Sequence, residues 1–282
     1  EDRVWWMLND GAGGFAAATL APGEMPVATS APTWLEVKDI DGDGLQDALC
    51  IGNVDGRLFK ALDGGALAAP RFILVNSGAY GAEAADMDGD GDKDILVGGA
   101  WVEQLAPGRF GPVHSIGESD AIHAGADLDG DGLMDATPVY RMSDSLVWRR
   151  NMGDGTFEKR MIDPAAWYTY QAQAVDLDGD GDLDILRATG LALRPYMNQG
   201  DGTFAPTYSS NAYAEFFACG DFDGDGDTDI IGNESNSNTD VVVFRHDPAA
   251  ESLFESTQYV ATINNPEASQ AIPADFNGDG RL

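Results

Sequence analysis

An all-β chain of repeated four-stranded blades, a β-propeller, is the fold class predicted by these 282 residues. An acidic loop nine residues long returns six times at intervals of 41 to 54 residues, the period of a propeller blade. Between the loops lie short β-rich runs with turn signals roughly every 8–12 residues. No segment of roughly 10–12 residues keeps a helical period, so almost no helix is expected.

The loop has the pattern D-x-[DN]-G-D-G-x-x-D and occupies 39–47, 86–94, 127–135, 176–184 and 221–229. A sixth copy opens at Asp275 and runs to the end of the sequence. A second element, N-x-G-x-G-x-F, recurs at Asn9–Phe15, Asn151–Phe157 and Asn198–Phe204, with weaker copies at 107–110 and around Phe254. Its glycines permit the positive φ of a tight hairpin, and its Phe starts the following strand. The unit beginning near residue 121 reads as Ile122–Ala126, Asp135–Tyr140, Leu146–Arg150 and Thr156–Met161, with the acidic loop between strands one and two. The whole of 1–282 is read as a single propeller domain with units near 34–79, 80–120, 121–168, 169–212 and 213–267. A sixth unit is expected from 268–282 joined with 1–33, which closes the sheet edges of the array. The strand expected between Leu282 and Val4 is missing, so a longer natural chain would allow seven blades.

Composition agrees with a packed, turn-rich chain. Hydrophobic residues make up 43% and aromatics 9%, enough for a core, and the 35 glycines follow no G-X-Y period. A formal charge of -32 disfavours nucleic-acid and anionic membrane surfaces as partners. The longest uncharged stretches, 11–23 and 202–214, fall short of the roughly 20 residues of a membrane helix, so no membrane insertion is expected. Cys50 and Cys219 are too few for a disulfide framework and are read as buried free thiols.

The acidic loops carry the chemistry. Oxygen ligands at alternate positions of a tight loop suit a hard cation that takes six to eight oxygens, and Ca2+ is the cofactor predicted. The ligands assigned are Asp39, Asp41, Asp43, the Leu45 carbonyl and Asp47; Asp86, Asp88, Asp90, Asp92 and Asp94; Asp127, Asp129, Asp131, Leu133 and Asp135. The fourth and fifth sites use Asp176, Asp178, Asp180, Asp182 and Asp184, then Asp221, Asp223, Asp225, Asp227 and Asp229. The sixth copy offers only Asp275, Asn277 and Asp279, a weaker set. Zn2+ would want His or Cys, and Mg2+ a rigid octahedron with retained waters. An EF-hand needs Glu at position 12, where these loops have Cys50, Val97, Pro138, Arg187 and Gly232. The six loops hold 25 of the 48 acidic residues, so the acidity belongs largely to the loops and not to a surface for a basic partner.

With these loops and the N-x-G-x-G-x-F turns together, the chain resembles FG-GAP/VCBS repeats, as in integrin α-chain propellers and propeller lectins. The resemblance covers essentially the whole chain, although the first and second blades lack the glycine-rich turn. It implies calcium ligation at the positions named, in the loop joining strands one and two, and a secreted or cell-surface setting.

A ligand face is expected at the far ends of the inner strands. Trp34, Tyr80, His123, Tyr170 and Tyr213 fall there, with Trp167, Tyr168 and Arg141 nearby. Aromatic faces beside polar groups suit sugar rings. The function expected is carbohydrate recognition, as a lectin, an adhesin or the binding part of a polysaccharide-processing protein. Integrin-like adhesion to an extracellular protein and a polysaccharide lyase are the alternatives. No catalytic residues are assigned: there is no G-x-S-x-G or H-E-x-x-H, and His114, His123 and His246 fall at different points of their repeats. An incomplete terminal blade would offer a route to oligomers by accepting a strand.

Overall fold

A computed structural model of the chain describes residues 5–6, 19–20, 34–51, 56–63, 65–73, 82–117, 122–138, 145–167, 169–189, 192–207, 214, 217–233, 240–246 and 254–262. Among the described residues there is no helix, and therefore none long and apolar enough to cross a membrane. The strands form five four-stranded antiparallel sheets, the blades of a β-propeller.

A two-stranded ladder, β1 (Trp5–Trp6) and β2 (Thr19–Leu20), comes first. Blade 1 comprises β3 (Trp34–Lys38), β4 (Asp47–Ile51), β5 (Gly56–Phe59) and β8 (Arg71–Ile73), with a small hairpin of β6 (Ala61–Leu62) and β7 (Ala66–Leu67) inserted. Blade 2 is β9 (Ala82–Ala85), β10 (Asp94–Val97), β11 (Ala100–Ala106) and β12 (Arg109–Ser115). Blade 3 is β13 (Ile122–Ala126), β14 (Asp135–Pro138), β15 (Leu146–Asn151) and β16 (Phe157–Asp163). Blade 4 is β17 (Gln171–Val175), β18 (Asp184–Ala188), β19 (Leu193–Asn198) and β20 (Phe204–Pro206). Blade 5 is β21 (Phe217–Gly220), β22 (Asp229–Asn233), β23 (Asp240–His246) and β24 (Phe254–Thr262).

Five complete blades are thus described where the repeat predicted six. The sixth was to come from 268–282 and 1–33; of it only β1 and β2 lie within the described residues. The chain divides into two compact units, one of Glu1–Gly125, Leu133–Pro138 and Arg149–Glu158, the other of Ala126–Gly132, Val139–Trp148 and Lys159–Leu282.

Strand two of a blade opens on the last Asp of its loop and is otherwise mostly apolar, as suits a strand with both faces covered. In β4, β10 and β18 every residue is buried. In the first unit Leu49, Ile51, Leu58 and Ile73 of blade 1 pack with Ala82, Ala84, Ile95 and Val102 of blade 2. In the second unit Leu186, Leu193 and Ala188 of blade 4 pack with Phe217, Ile230, Val242 and Phe244 of blade 5. Strand-three tryptophans Trp101 and Trp148 are buried, a packing role for both. Cys50 is buried and Cys219 half-buried, both free thiols, and desolvation pushes them up to about 11 and about 12.

Each acidic loop joins strands one and two. The residue before its first Asp pairs across the ladder with its last: Lys38 with Asp47, Ala85 with Asp94, Val175 with Asp184, Gly220 with Asp229. That pairing fixes the mouths of these four loops.

Candidate metal centres

The loops fold through their own carboxylates. Asp39 accepts hydrogen bonds from the amides of Gly42 and Gly44 at 2.8 and 2.9 Å, and Asp86 does the same for Gly89 and Gly91 at 2.7 and 3.0 Å. Asp176 and Asp221 repeat the pattern, while Asp127 takes the amides of Asp131 and Gly132. The position-5 carboxylate then accepts the position-7 amide, as Asp43 does from Leu45 and Asp90 from Asp92, each at 2.9 Å. Wrapping this tightly needs left-handed backbone at positions 4 and 6, where Gly42 and Gly44 have φ of 76° and 88°.

The wrap turns positions 1, 3 and 5 inward. One oxygen from each of Asp39, Asp41 and Asp43 lies within 4.8 Å of the other two. The same holds for Asp86, Asp88 and Asp90; Asp127, Asp129 and Asp131; Asp176, Asp178 and Asp180; Asp221, Asp223 and Asp225. Asp41 Oδ1 and Asp92 Oδ1 are buried and accept no hydrogen bond among the described residues. Burial first, and then the neighbouring carboxylates, raise Asp88, Asp92 and Asp178 above the usual carboxylate range. An all-oxygen donor set with orphaned acceptors and mutual repulsion fits a hard divalent cation.

Position 9 behaves differently. Asp47, Asp94, Asp135, Asp184 and Asp229 are all buried, and none belongs to the converging triads. Asp94 accepts the amides of Met87 at 2.9 Å and Gln104 at 2.7 Å; Asp184 accepts those of Leu177 at 2.9 Å and Asn198 at 2.7 Å. Asp47 and Asp229 are held in the same way, and Asp135 takes the amide of Asn151. This carboxylate fastens loop position 2 to the end of strand three. Each oxygen keeps lone pairs beyond the bond it accepts. Burial pushes Asp94 up to about 7 and Asp184 to about 6.

Sequence reasoning missed a second device, the amide at the end of strand three. Asn198 Nδ2 donates to the Leu128 carbonyl of the neighbouring loop at 2.7 Å and to the Leu183 carbonyl of its own at 3.0 Å. Asn151 does the same for Met87 and Met134, and Gln104 for Ile40 and Lys93. Their side-chain oxygens accept from the turn that follows, from Gly200 and Gly202, Gly153 and Gly108 respectively. So the Asn of N-x-G-x-G-x-F staples two acidic loops of adjacent blades within a unit. The motif itself was the available signal, but its Asn was read only as part of a turn. A Cβ on Gly202 would stand 2.5 Å from Trp148, so the close approach requires glycine there.

The predicted ligand residues are only partly described. In blade 4 the β17–β18 ladder runs from Val175–Asp184 at the loop to Gln171–Ala188 at the far end. Just beyond that far end lie Trp167, 60% exposed, and Tyr170, whose amide donates to Ala188 at 2.9 Å. The Trp167 carbonyl accepts from Arg187, which is buried and also donates to Thr169 at 2.8 Å and to the Tyr196 hydroxyl at 3.0 Å. Tyr196 in turn donates to Asp163 at 2.6 Å. An exposed indole therefore rides on a buried polar network. Trp34 opens β3 and His123 lies in β13, with their side chains outside the description. Tyr80, Arg141, Tyr168, Tyr213, Asp275, Asn277 and Asp279 lie outside the described residues.

The FG-GAP-like repeat matches residues 39–97, 127–187 and 221–282, well over half of the chain. The chain belongs to the FG-GAP repeat family. Among curated proteins none matches it. Of the solved structures it is similar to an Agrocybe aegerita lectin described as recognising non-reducing terminal N-acetylglucosamine, at 19% identity and a TM-score of 0.65, over 91% of this chain and 74% of that one. A Lactobacillus plantarum protein gives 14% identity and a TM-score of 0.61 over 95% and 80% of the two chains. The periplasmic gluconolactonase of Pseudomonas aeruginosa gives 16% and 0.54 over 92% and 80%. These likenesses are of fold.

The FG-GAP loops differ in one neighbour. The residue immediately before the amide bound by position 9, which lies in strand three or, in blade 1, just past it at Ala61, is Lys60, Glu103, Arg150, Met197 and Arg245 in blades 1 to 5. Lys60 Nζ bonds Asp41 and lies 2.9 Å from Asp43, and the two carboxylates raise its pKa above the usual lysine value. Arg245 donates to Asp223 at 2.6 Å. Glu103, which pairs with the His114 ring at 3.0 Å, instead adds negative charge beside Asp88.

Proposed function

We propose that this FG-GAP propeller is a calcium-stiffened recognition module that works outside the cell and binds carbohydrate. The calcium reading rests on triads of oxygen donors at positions 1, 3 and 5, with orphaned buried oxygens on Asp41 of the first triad and on Asp92 in the second loop. Carbonyls at position 7 (Leu45, Asp92, Leu133, Asp182 and Asp227) and the spare lone pairs of Asp47, Asp94, Asp135, Asp184 and Asp229 would bring the count towards six to eight oxygens. Asp275, Asn277 and Asp279 would take the same roles in the sixth copy. An extracellular setting supplies calcium at concentrations that fill even weak loops of this kind.

The observation that carries the carbohydrate reading is Trp167, an exposed indole whose backbone is fixed by buried Arg187. A ring face with low conformational freedom suits the C–H face of a sugar, whose hydroxyls then seek nearby polar groups. The site stands at the end of blade 4 opposite its acidic loop, so calcium would stiffen the scaffold without touching the ligand. A glycan array probed with the full chain, with and without calcium, tests this; glycans ending in N-acetylglucosamine belong on it. Binding that is lost in Trp167→Ala is the expected result. An array with no binding at all would remove the carbohydrate reading, and binding indifferent to Trp167→Ala would remove the site.

A further inference from the structure

We infer that Lys60 is a built-in counter-ion of the first acidic loop, which makes that loop a weaker calcium site than the loops of blades 2 and 4, and that Glu103 makes the second loop stronger than the fourth. The inference rests on the calcium reading above and concerns how its sites are graded.

Lys60 reaches two carboxylates of its triad; in the same register of blade 5, Arg245 donates to Asp223. The ammonium of Lys60 holds two of the three converging carboxylates, Asp41 and Asp43. One oxygen of Asp43 already accepts the Leu45 amide, so Lys60 takes the other, which a metal would need. A cation entering this loop must first displace the ammonium, then tolerate its charge a few ångströms away. The residue in the same register is neutral in blade 4 (Met197) and acidic in blade 2 (Glu103). Repulsion between a divalent ion and one positive charge at ~5 Å, even in a water-like dielectric, weakens binding on the order of tenfold. One acidic neighbour strengthens it by a similar factor. The chain therefore carries a loop that is neutralised without metal beside loops that are not. Its blade 1 should hold together at calcium concentrations that empty its neighbours' loops.

The test is Lys60→Met in the full chain, which gives blade 1 the residue found in blade 4, with Lys60→Gln as a second variant should Met misfold. Calcium is titrated calorimetrically into metal-free protein, and Asp43→Asn identifies the step belonging to loop 1. In the wild type that step should be weaker than the loop-4 step removed by Asp180→Asn, and the loop-2 step removed by Asp90→Asn should be tighter than the loop-4 step and loosened about tenfold by Glu103→Gln. Lys60→Met should tighten the loop-1 step about tenfold or more and leave the others unchanged. It should also lower the melting temperature in chelator, where nothing else neutralises Asp41 and Asp43, and not in saturating calcium. Unchanged loop-1 affinity in both variants, alongside normal binding at the other loops, would overturn the inference while leaving the calcium reading intact. Absence of calcium binding at every loop would overturn both.

Discussion

Removing the amide of Asn198 tests the staple between blades 3 and 4. The side chain is buried, donates to Leu128 and Leu183 at 2.7 and 3.0 Å, and accepts from Gly200 and Gly202 at 3.1 and 3.2 Å. Asn198→Ala deletes those bonds and leaves two carbonyls and two amides to find other partners. A net hydrogen bond contributes about 1 kcal/mol, and a buried group left unpaired costs about 1–3 kcal/mol. Water entering at the turn would rescue some groups, so the loss should be about 3 kcal/mol. At about 2–4 °C per kcal/mol for a chain of this size, the melting temperature should fall by roughly 6–12 °C. Differential scanning calorimetry in saturating calcium measures this with the metal term held constant. Asn198→Asp keeps the shape but turns the donor towards two carbonyls into an acceptor, so it should be at least as damaging as Ala. A fall below about 2 °C for Asn198→Ala, or an Asp variant as stable as wild type, would refute the reasoning.

Three further outcomes follow from the same structure. Glu36 is pushed up to about 7 by burial while accepting the Ala84 amide at 3.1 Å. Its folded pKa lies above its unfolded value of 4.5, so its contribution is full below that value and fades as pH rises through about 7. The loss is on the order of 3 kcal/mol, and Glu36→Gln should gain melting temperature over wild type at pH 8 far more than at pH 5; an equal gap at both would contradict this. Chelation should lower the melting temperature strongly, since each site filled to about 100 times its Kd adds about 2.7 kcal/mol; identical melts with chelator and calcium would count against metal in the loops. Cys50 and Cys219, raised by burial to about 11 and about 12, should react with a thiol reagent at pH 8 only after denaturant is added, and prompt labelling of both in native protein would contradict their placement.

What could be read from the residues was what repeats locally. The spacing of the acidic loops located the blades, and the four strands expected near residue 121 correspond to Ile122–Ala126, Asp135–Pro138, Leu146–Asn151 and Phe157–Asp163. The glycines at loop positions 4 and 6 announced the backbone that turns alternate carboxylates inward. Contacts set by stacking one sheet on the next were out of reach. Position 9 is an Asp like the others, yet its partner is the strand-three amide of its own blade, which no local pattern marks. Gln104 performs the task of Asn151 and Asn198 without the motif around it, because a longer side chain reaches the same two carbonyls. Lys60 lies 13 residues past the end of its loop, and only the sheet register brings it back to Asp41.

The central claim is that these carboxylate triads hold metal. Native mass spectrometry of the full chain, exchanged into a calcium-containing volatile buffer and then into chelator, tests it most directly. The account predicts calcium adducts on the folded charge states in a number matching the occupied loops, with loop 1 filling after those of blades 2 and 4, and their loss in chelator. A folded chain carrying no alkaline-earth ion at millimolar calcium would contradict it.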